Sequence, residues 1–267
     1  MADRAPQARS RQRAGTGAAR AAAVVAHGAG STASFIVAAF GPSLAAAGFE
    51  LITFDDRSGD PQAVADRMAE LVDASGACLV GGVSLGAHAA VLASATRPHL
   101  SGALLVMPAW TGPPSQVAAL SRASAAQLAR GGLTAELARL DADATGPGGA
   151  RAGPPGWPGW VGVELARAWA TYRQDELVSA LVAASGSPGP TPAQLSAMAV
   201  ASCVVAVGDD PFHPVQVARQ WAGLLRSVEL TELGARELDR GPAALGHAAV
   251  QGWLRLRLRT GSPSQAR

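Results

Sequence analysis

Gly82-Val83-Ser84-Leu85-Gly86 is a Gly-x-Ser-x-Gly run, set between the apolar stretch Ala77-Cys78-Leu79-Val80 and an alanine-rich helical stretch. A serine on a tight strand-to-helix turn is lifted clear of its sheet, and glycines beside it remove side chains that would clash there. Such a serine attacks carbonyl carbon and forms a covalent acyl intermediate, so the run predicts a serine hydrolase.

A serine hydroxyl is a weak nucleophile at neutral pH. It needs a base within hydrogen-bond reach and a carboxylate that fixes the base in the right tautomer. The chain has five histidines. His247, in Gly246-His247-Ala248-Ala249, reads as part of a loop between the last strand and the final helix, and is expected to be the general base and then the general acid. His213, in Asp209-Asp210-Pro211-Phe212-His213-Pro214, lies beside the acid loop and is the second choice. His88 falls one turn beyond Ser84 on a helix and His99 in a connecting loop, so neither is assigned to catalysis. The acid should end a strand between serine and base; Asp210 fits, with Asp209 as the alternative. The expected catalytic set is therefore Ser84, Asp210 and His247.

His27-Gly28-Ala29-Gly30 forms a glycine-rich turn after the first apolar run, able to present backbone N–H groups to a developing oxyanion. The expected donors are the amides of Ala29 and Leu85. His27, Gly28 and Gly30 then support the oxyanion loop, as Gly82 and Gly86 support the elbow.

These residues must be held by a scaffold, and the hydrophobic patterning supplies one. Short apolar runs at 22–26, 50–54, 78–83, 103–107, 203–207 and 228–233 read as strands, and helical stretches at 35–47, 61–74 and 87–95 alternate with the first four. Alternation of this kind implies a parallel, doubly wound sheet whose ligand crevice lies beyond the carboxyl ends of the strands. Between 110 and 201 the alternation breaks: helical patterns at 116–129, 134–140 and 161–182 replace the single crossover helix, as expected of an inserted cap. Thr145 to Gly159 within it, dense in glycine and proline, reads as a loop. The expected organisation is a disordered arginine- and alanine-rich tail at 1–20, a core at 21–109 and 202–256, the cap at 110–201 and a second disordered tail at 257–267. Trp110, Trp157, Trp160 and Trp169 fall at or within the cap, and Leu165, Trp169 and Tyr172 recur at helical spacing, which suits a plain helix core and, as the second reading, an apolar pocket.

Composition narrows the classes further. Nine of the 22 arginines lie within residues 1–20 and 255–267, so residues 21–254 carry thirteen arginines against nineteen acids, a balance of −6, and this acidic body argues against a nucleic-acid surface. Lysine and asparagine are absent, which excludes lysine Schiff-base chemistry and N-linked glycosylation. No apolar run approaches the roughly 20 residues a membrane span needs. Cys78 and Cys203 sit in apolar strand-like runs and imply neither a disulfide framework nor a metal motif. A cytoplasmic protein without metal or cofactor, acting on a small molecule, is expected; the oligomeric state is open.

From about Ala22 to Trp253 the chain resembles the α/β-hydrolase superfamily, through the His-Gly-Ala-Gly turn, the Gly-Val-Ser-Leu-Gly elbow, the Gly-Asp-Asp-Pro-Phe-His-Pro acid loop and the terminal Gly-His. Phe54-Asp55-Asp56-Arg57-Ser58-Gly59 also looks like the family's turn after the strand preceding the elbow strand, its acids and arginine expected to form a loop-fixing pair. The resemblance implies the order Ser84, Asp210, His247 and a compact variant lacking the family's first two strands. The implied activity is hydrolysis of a small, largely apolar ester or thioester. The alternatives are carbon–carbon bond hydrolysis, lyase or cofactor-free haloperoxidase-like chemistry, and a ligand-binding homologue without turnover.

Overall fold

The computed structural model describes residues 21–145 and 159–261. The predicted tail at 1–20, the far end of the second tail and most of the glycine- and proline-rich loop, with Trp157, lie outside them. Six parallel strands form one sheet in the order β2-β1-β3-β4-β5-β6: β1 Ala21–Ala26, β2 Phe49–Ile52, β3 Leu79–Val83, β4 Gly102–Val106, β5 Ser202–Val207 and β6 Val228–Leu233. Every predicted strand is present, with ends shifted by one or two residues.

The sheet is covered on both sides because alternate residues of each central strand feed two different cores. Ala22, Val24 and Ala26 of β1, with Val80, Leu105 and Val204, pack against helices α2 (Pro61–Ser75), α3 (Leu85–Ser94) and α9 (Val215–Leu224). Ala23 and Val25, with Leu79, Leu104 and Val205, pack against α1 (Ala33–Ala46) and α11 (Ala243–Gly261). The chain leaves β1 for the neighbour on one side and returns to β3 on the other. The order therefore reverses between β1 and β3, where an open parallel sheet leaves a crevice at its carboxyl edge. The glycine-rich turn follows β1 and Ser84 follows β3, so the fold delivers both to that crevice.

Among the described residues five helices lie between β4 and β5: α4 Gln116–Gly131, α5 Leu133–Thr145, α6 Gly159–Trp169, α7 Gln174–Gly186 and α8 Pro192–Ala197. The single helical pattern expected over 161–182 is two helices. The break has a tertiary cause: Arg57 donates to the Thr171 carbonyl (2.9 Å), the Tyr172 hydroxyl donates to the Ser31 carbonyl (2.7 Å), and Arg57 lies 4.4 Å from the centre of the Tyr172 ring. Of these groups the Thr171 carbonyl is the one a continuing helix would have used, and the Arg173 amide donates instead to Glu176 Oε2 at 3.1 Å, which starts α7 afresh.

Two other expectations are corrected. Residues 257–261, expected to be disordered, continue α11, because Arg255 and Arg259 both pair with Glu229 of β6 and tie the last turns to the sheet edge. Arg57 does not pair with Asp55 or Asp56. It reaches the inserted helices at Glu176 (3.2 Å), while Asp55 accepts the Ala33 amide at the start of α1 and Asp56 accepts from Ser58 within its own turn. Among the described residues no helix is long and apolar enough to cross a membrane, and a short helix, α10 (Ala235–Leu238), precedes α11.

Candidate active site

Ser84 stands between the last residue of β3 and the first of α3 with φ 56° and ψ −115°, a conformation L-residues avoid and surrounding structure must enforce. Its glycines make that turn sterically possible. A Cβ on Gly82 would sit 2.3 Å from the Gly86 carbonyl carbon, and one on Gly86 would sit 2.3 Å from the Ala26 carbonyl oxygen. The Ser84 amide donates to the Val106 carbonyl at 2.9 Å, and this bond to the neighbouring strand fixes the elbow at the sheet edge.

The base is where the structure departs from expectation. His213 Nε2 lies 2.9 Å from Ser84 Oγ, and His213 Nδ1 lies 2.7 Å from Asp210 Oδ2. The turn after β5 builds this pair locally. Asp210 Oδ1 accepts the amides of Phe212 (2.8 Å) and His213 (3.2 Å), a side-chain-closed turn that brings residue i+3 back over the carboxylate. Burial alone would raise the Asp210 pKa, but the facing His213 ring and the donated hydrogen bonds outweigh it and hold the carboxyl below its usual range. Asp210 is 5% exposed, whereas Asp209 is exposed with φ 58°, so the geometry selects Asp210 over its neighbour.

His247 is not at this site. It lies inside α11, not in a loop before it, and lines an open groove of about 720 Å³ with Pro42, Ser43 and Gln251, apart from the cavities that contain Ser84. The preceding glycine explains the Gly-His pair structurally: a Cβ on Gly246 would lie 2.1 Å from the Ala39 carbonyl oxygen, so α11 can approach α1 only without one. The signal that could have found His213 is the Asp-Pro-x-His spacing itself, since a capped turn places such a histidine on its own aspartate.

The glycine-rich turn sits against the elbow, with a Cβ on Gly28 placed 3.2 Å from Ser84 Cβ. Among the described residues neither the Ala29 nor the Leu85 amide donates to a protein acceptor. Ala29 lines both cavities at Ser84. His27 is buried, its Nδ1 2.8 Å from the Gly28 carbonyl and its Nε2 accepting the Asp56 amide at 3.1 Å, a pattern that fixes the neutral Nδ1–H tautomer and ties the turn to the β2–α2 loop. Gly30, at φ +69°, abuts Leu177 and Trp169 of the inserted helices.

Those helices are pinned to the same turn. Besides the Tyr172 and Arg57 contacts, Arg167 donates to Ser34 Oγ at 2.7 Å, and Gly59 leaves room for α7, since a Cβ there would fall 2.0 Å from the Ala180 carbonyl oxygen. Trp169 and Tyr172 pack in the small core of these helices with Leu128, Leu140 and Leu177, while Leu165 and Trp169 also line the cavities beside Ser84. Among the described residues no group of three or more His, Cys, Asp or Glu side chains is placed to hold a metal ion.

His88 lies behind the site, buried between Trp110 and Trp221, and its Nε2 accepts the Ala109 amide at 3.3 Å. Burial, with a smaller contribution from His213, depresses its pKa to about 3. Unfolded, it would take up a proton as pH falls through about 6.5; folded, it would do so only near 3. The unfolded state binds more protons across that window, so stability rises with pH through it and is lost as pH falls. His27, also depressed by burial, acts with the same sign. We expect His88→Gln, which keeps an acceptor for the Ala109 amide, to flatten the fall in Tm between about pH 6.5 and 5, above the range where carboxylates begin to titrate. Thermal melts at stepped pH check this; an unchanged slope would contradict it.

No family model matches the chain, and no curated protein matches it in sequence. Solved structures do match in shape. A protein described as a non-heme bromoperoxidase, BpoC from Mycobacterium tuberculosis H37Rv, is 21% identical with a TM-score of 0.64, over 88% of this chain and 92% of that one. A thermophilic esterase from Thermogutta terrifontis is 16% identical with a TM-score of 0.63, over 88% and 89%. MenH from S. aureus is 14% identical with a TM-score of 0.63, over 88% and 93%. With the six-stranded parallel sheet, the strand reversal at β1 and β3 and the serine elbow at its carboxyl edge, these likenesses establish that the chain has the α/β-hydrolase fold.

Proposed function

We propose that this protein is a serine hydrolase that cleaves a small, largely apolar carboxylic ester or thioester through an acyl-enzyme. The observation that carries the reading is the hydrogen-bonded relay from Asp210 through His213 to Ser84 Oγ, on a serine held at φ 56°. Ser84 Oγ attacks the substrate carbonyl carbon as His213 Nε2 takes its proton. Asp210, kept ionised, holds the Nδ1–H tautomer and stabilises the imidazolium that forms. The Ala29 and Leu85 amides receive the developing oxyanion, each donor contributing about 3 to 4 kcal/mol to barrier lowering where such donors have been removed. His213 then returns the proton to the leaving oxygen or sulfur, and a water molecule repeats the sequence to release the acid.

The α4–α8 helices act in this reading as a cap that bounds the substrate cavities. The fold is shared by proteins described as an esterase, a bromoperoxidase and MenH, so it does not choose among reactions. The relay supports acyl transfer by placing a base in hydrogen-bond contact with the nucleophile that such a reaction needs. The test is turnover of butyrate esters and thioesters by the wild type and by Ser84→Ala. The expected result is hydrolysis by the wild type and, in the folded variant, a rate at the uncatalysed background; equal rates in the two proteins would refute the assignment.

A further inference from the structure

Ser84 lies where two unlike cavities meet, and Ala29 and His213 line both. The first, about 160 Å³, is walled by Phe35, Met107, Trp160, Leu165 and Leu238. A cavity of about 150 Å³ with apolar walls accepts a benzene-sized guest, so this largely apolar lobe, in which Glu164 is, among the described residues, the one carboxylate outside the Ser84–His213–Asp210 relay, suits a compact hydrocarbon group. The second, about 250 Å³, has one polar face, made by Ser121, Ser124 and Gln127 of α4 with Glu136 and Arg139 of α5, set against apolar side chains that include Leu181 and Phe212. Ser121, Ser124 and Gln127 are three residues apart and share one helix face. Gln127 Nε2 donates to Glu136 Oε2 at 3.2 Å, and Arg139 Nε donates to Glu136 Oε1 at 3.1 Å. That arginine bond holds the Glu136 carboxyl below its usual range, so the charges on the α4–α5 face offset one another, and the hydroxyl and amide groups of Ser121, Ser124 and Gln127 make this lobe the more polar of the two although Leu140, Trp169 and Leu181 complete its wall.

The reaction cycle decides which half of the substrate goes where. His213 Nε2 protonates the leaving group and later draws a proton from water at the same position, so leaving group and water share one side of the acyl carbonyl. Water finds hydrogen-bonding side chains on the α4–α5 face of the second lobe and few in the first. We infer that the apolar lobe binds the acyl group and the polar lobe an uncharged leaving group bearing hydroxyl or amide functions. The natural substrate class is then an ester or thioester of a compact apolar acid with a hydrophilic alcohol or thiol. This inference rests on the hydrolase reading above.

The test uses phenyl butyrates carrying a para hydroxymethyl or a para ethyl group, leaving groups of similar size and acidity that differ in one hydrogen-bonding function. We expect kcat/KM to favour the hydroxymethyl ester by about three- to tenfold, the scale of one uncharged hydrogen bond. In Ser121→Ala/Gln127→Leu the ratio, measured within that protein, should fall towards one. Butyryl and benzoyl esters should also exceed dodecanoyl esters. A ratio of one or below in the wild type, or a preference that survives in the double variant, would overturn the inference while leaving the hydrolase reading standing. Absence of turnover on every ester, with no acyl group on Ser84 in intact-protein mass spectra, would overturn the hydrolase reading and this inference with it.

Discussion

His213→Ala is expected to lower kcat/KM for ester hydrolysis by about four to six orders of magnitude, the scale on which triad members fail when removed. His247→Ala leaves it within about twofold, as befits a surface substitution away from the chemistry. The contrast follows from position. His213 is the ring bonded to both Asp210 and Ser84 Oγ, whereas His247 is an exposed residue of α11 beside Pro42 and Ser43. Steady-state kinetics on both variants, with circular dichroism to establish folding, reads the difference directly. The reverse pattern would show that the serine elbow is served from the last helix after all.

Asp210→Asn is expected to lower kcat by about 10,000-fold with little change in fold, and Asp209→Asn to leave it within about twofold. Asparagine can still accept the Phe212 and His213 amides through its carbonyl oxygen, so the turn that Asp210 Oδ1 closes persists. What is lost is the charge facing His213 Nδ1, and with it the preferred tautomer and the stabilised imidazolium. Alanine would be less informative, because it would also remove the turn's acceptor. At Asp209 the backbone is left-handed, a conformation asparagine tolerates as well as aspartate, so the substitution isolates an exposed charge that touches nothing in the relay. Equal losses in the two variants would mean that the loop's total charge matters rather than one bonded carboxylate.

The residues legible from sequence were those whose role is set within a few neighbours. Gly82, Ser84 and Gly86 act through local steric clashes, the His27 to Gly30 turn through glycine's small volume, and the six strands through short apolar runs; all were placed within a residue or two. Asp210 followed from its place after an apolar strand. Assigning the base to His247 rests on placing it in a loop, whereas Ala243 to Gly261 form one helix whose Gly246 packs against the backbone of α1. The split between α6 and α7 is hard to read from sequence, since no glycine or proline marks it and one of the groups that hold it, Arg57, lies more than one hundred residues away, beside the local bond from the Arg173 amide to Glu176. The ion pairs of Arg255 and Arg259 with Glu229, which extend the last helix, belong to the same class of long-range causes.

The measurement that most directly tests the central claim is intact-protein mass spectrometry after incubation with a fluorophosphonate, comparing wild type, Ser84→Ala, His213→Ala and His247→Ala. An activated Ser84 served by His213 predicts one adduct per chain on the wild type and on His247→Ala, none on Ser84→Ala, and labelling of His213→Ala slowed at least a hundredfold, a loss of the order that general-base catalysis supplies. Full labelling of His213→Ala at the wild-type rate, or no adduct on folded wild-type protein, would contradict the account.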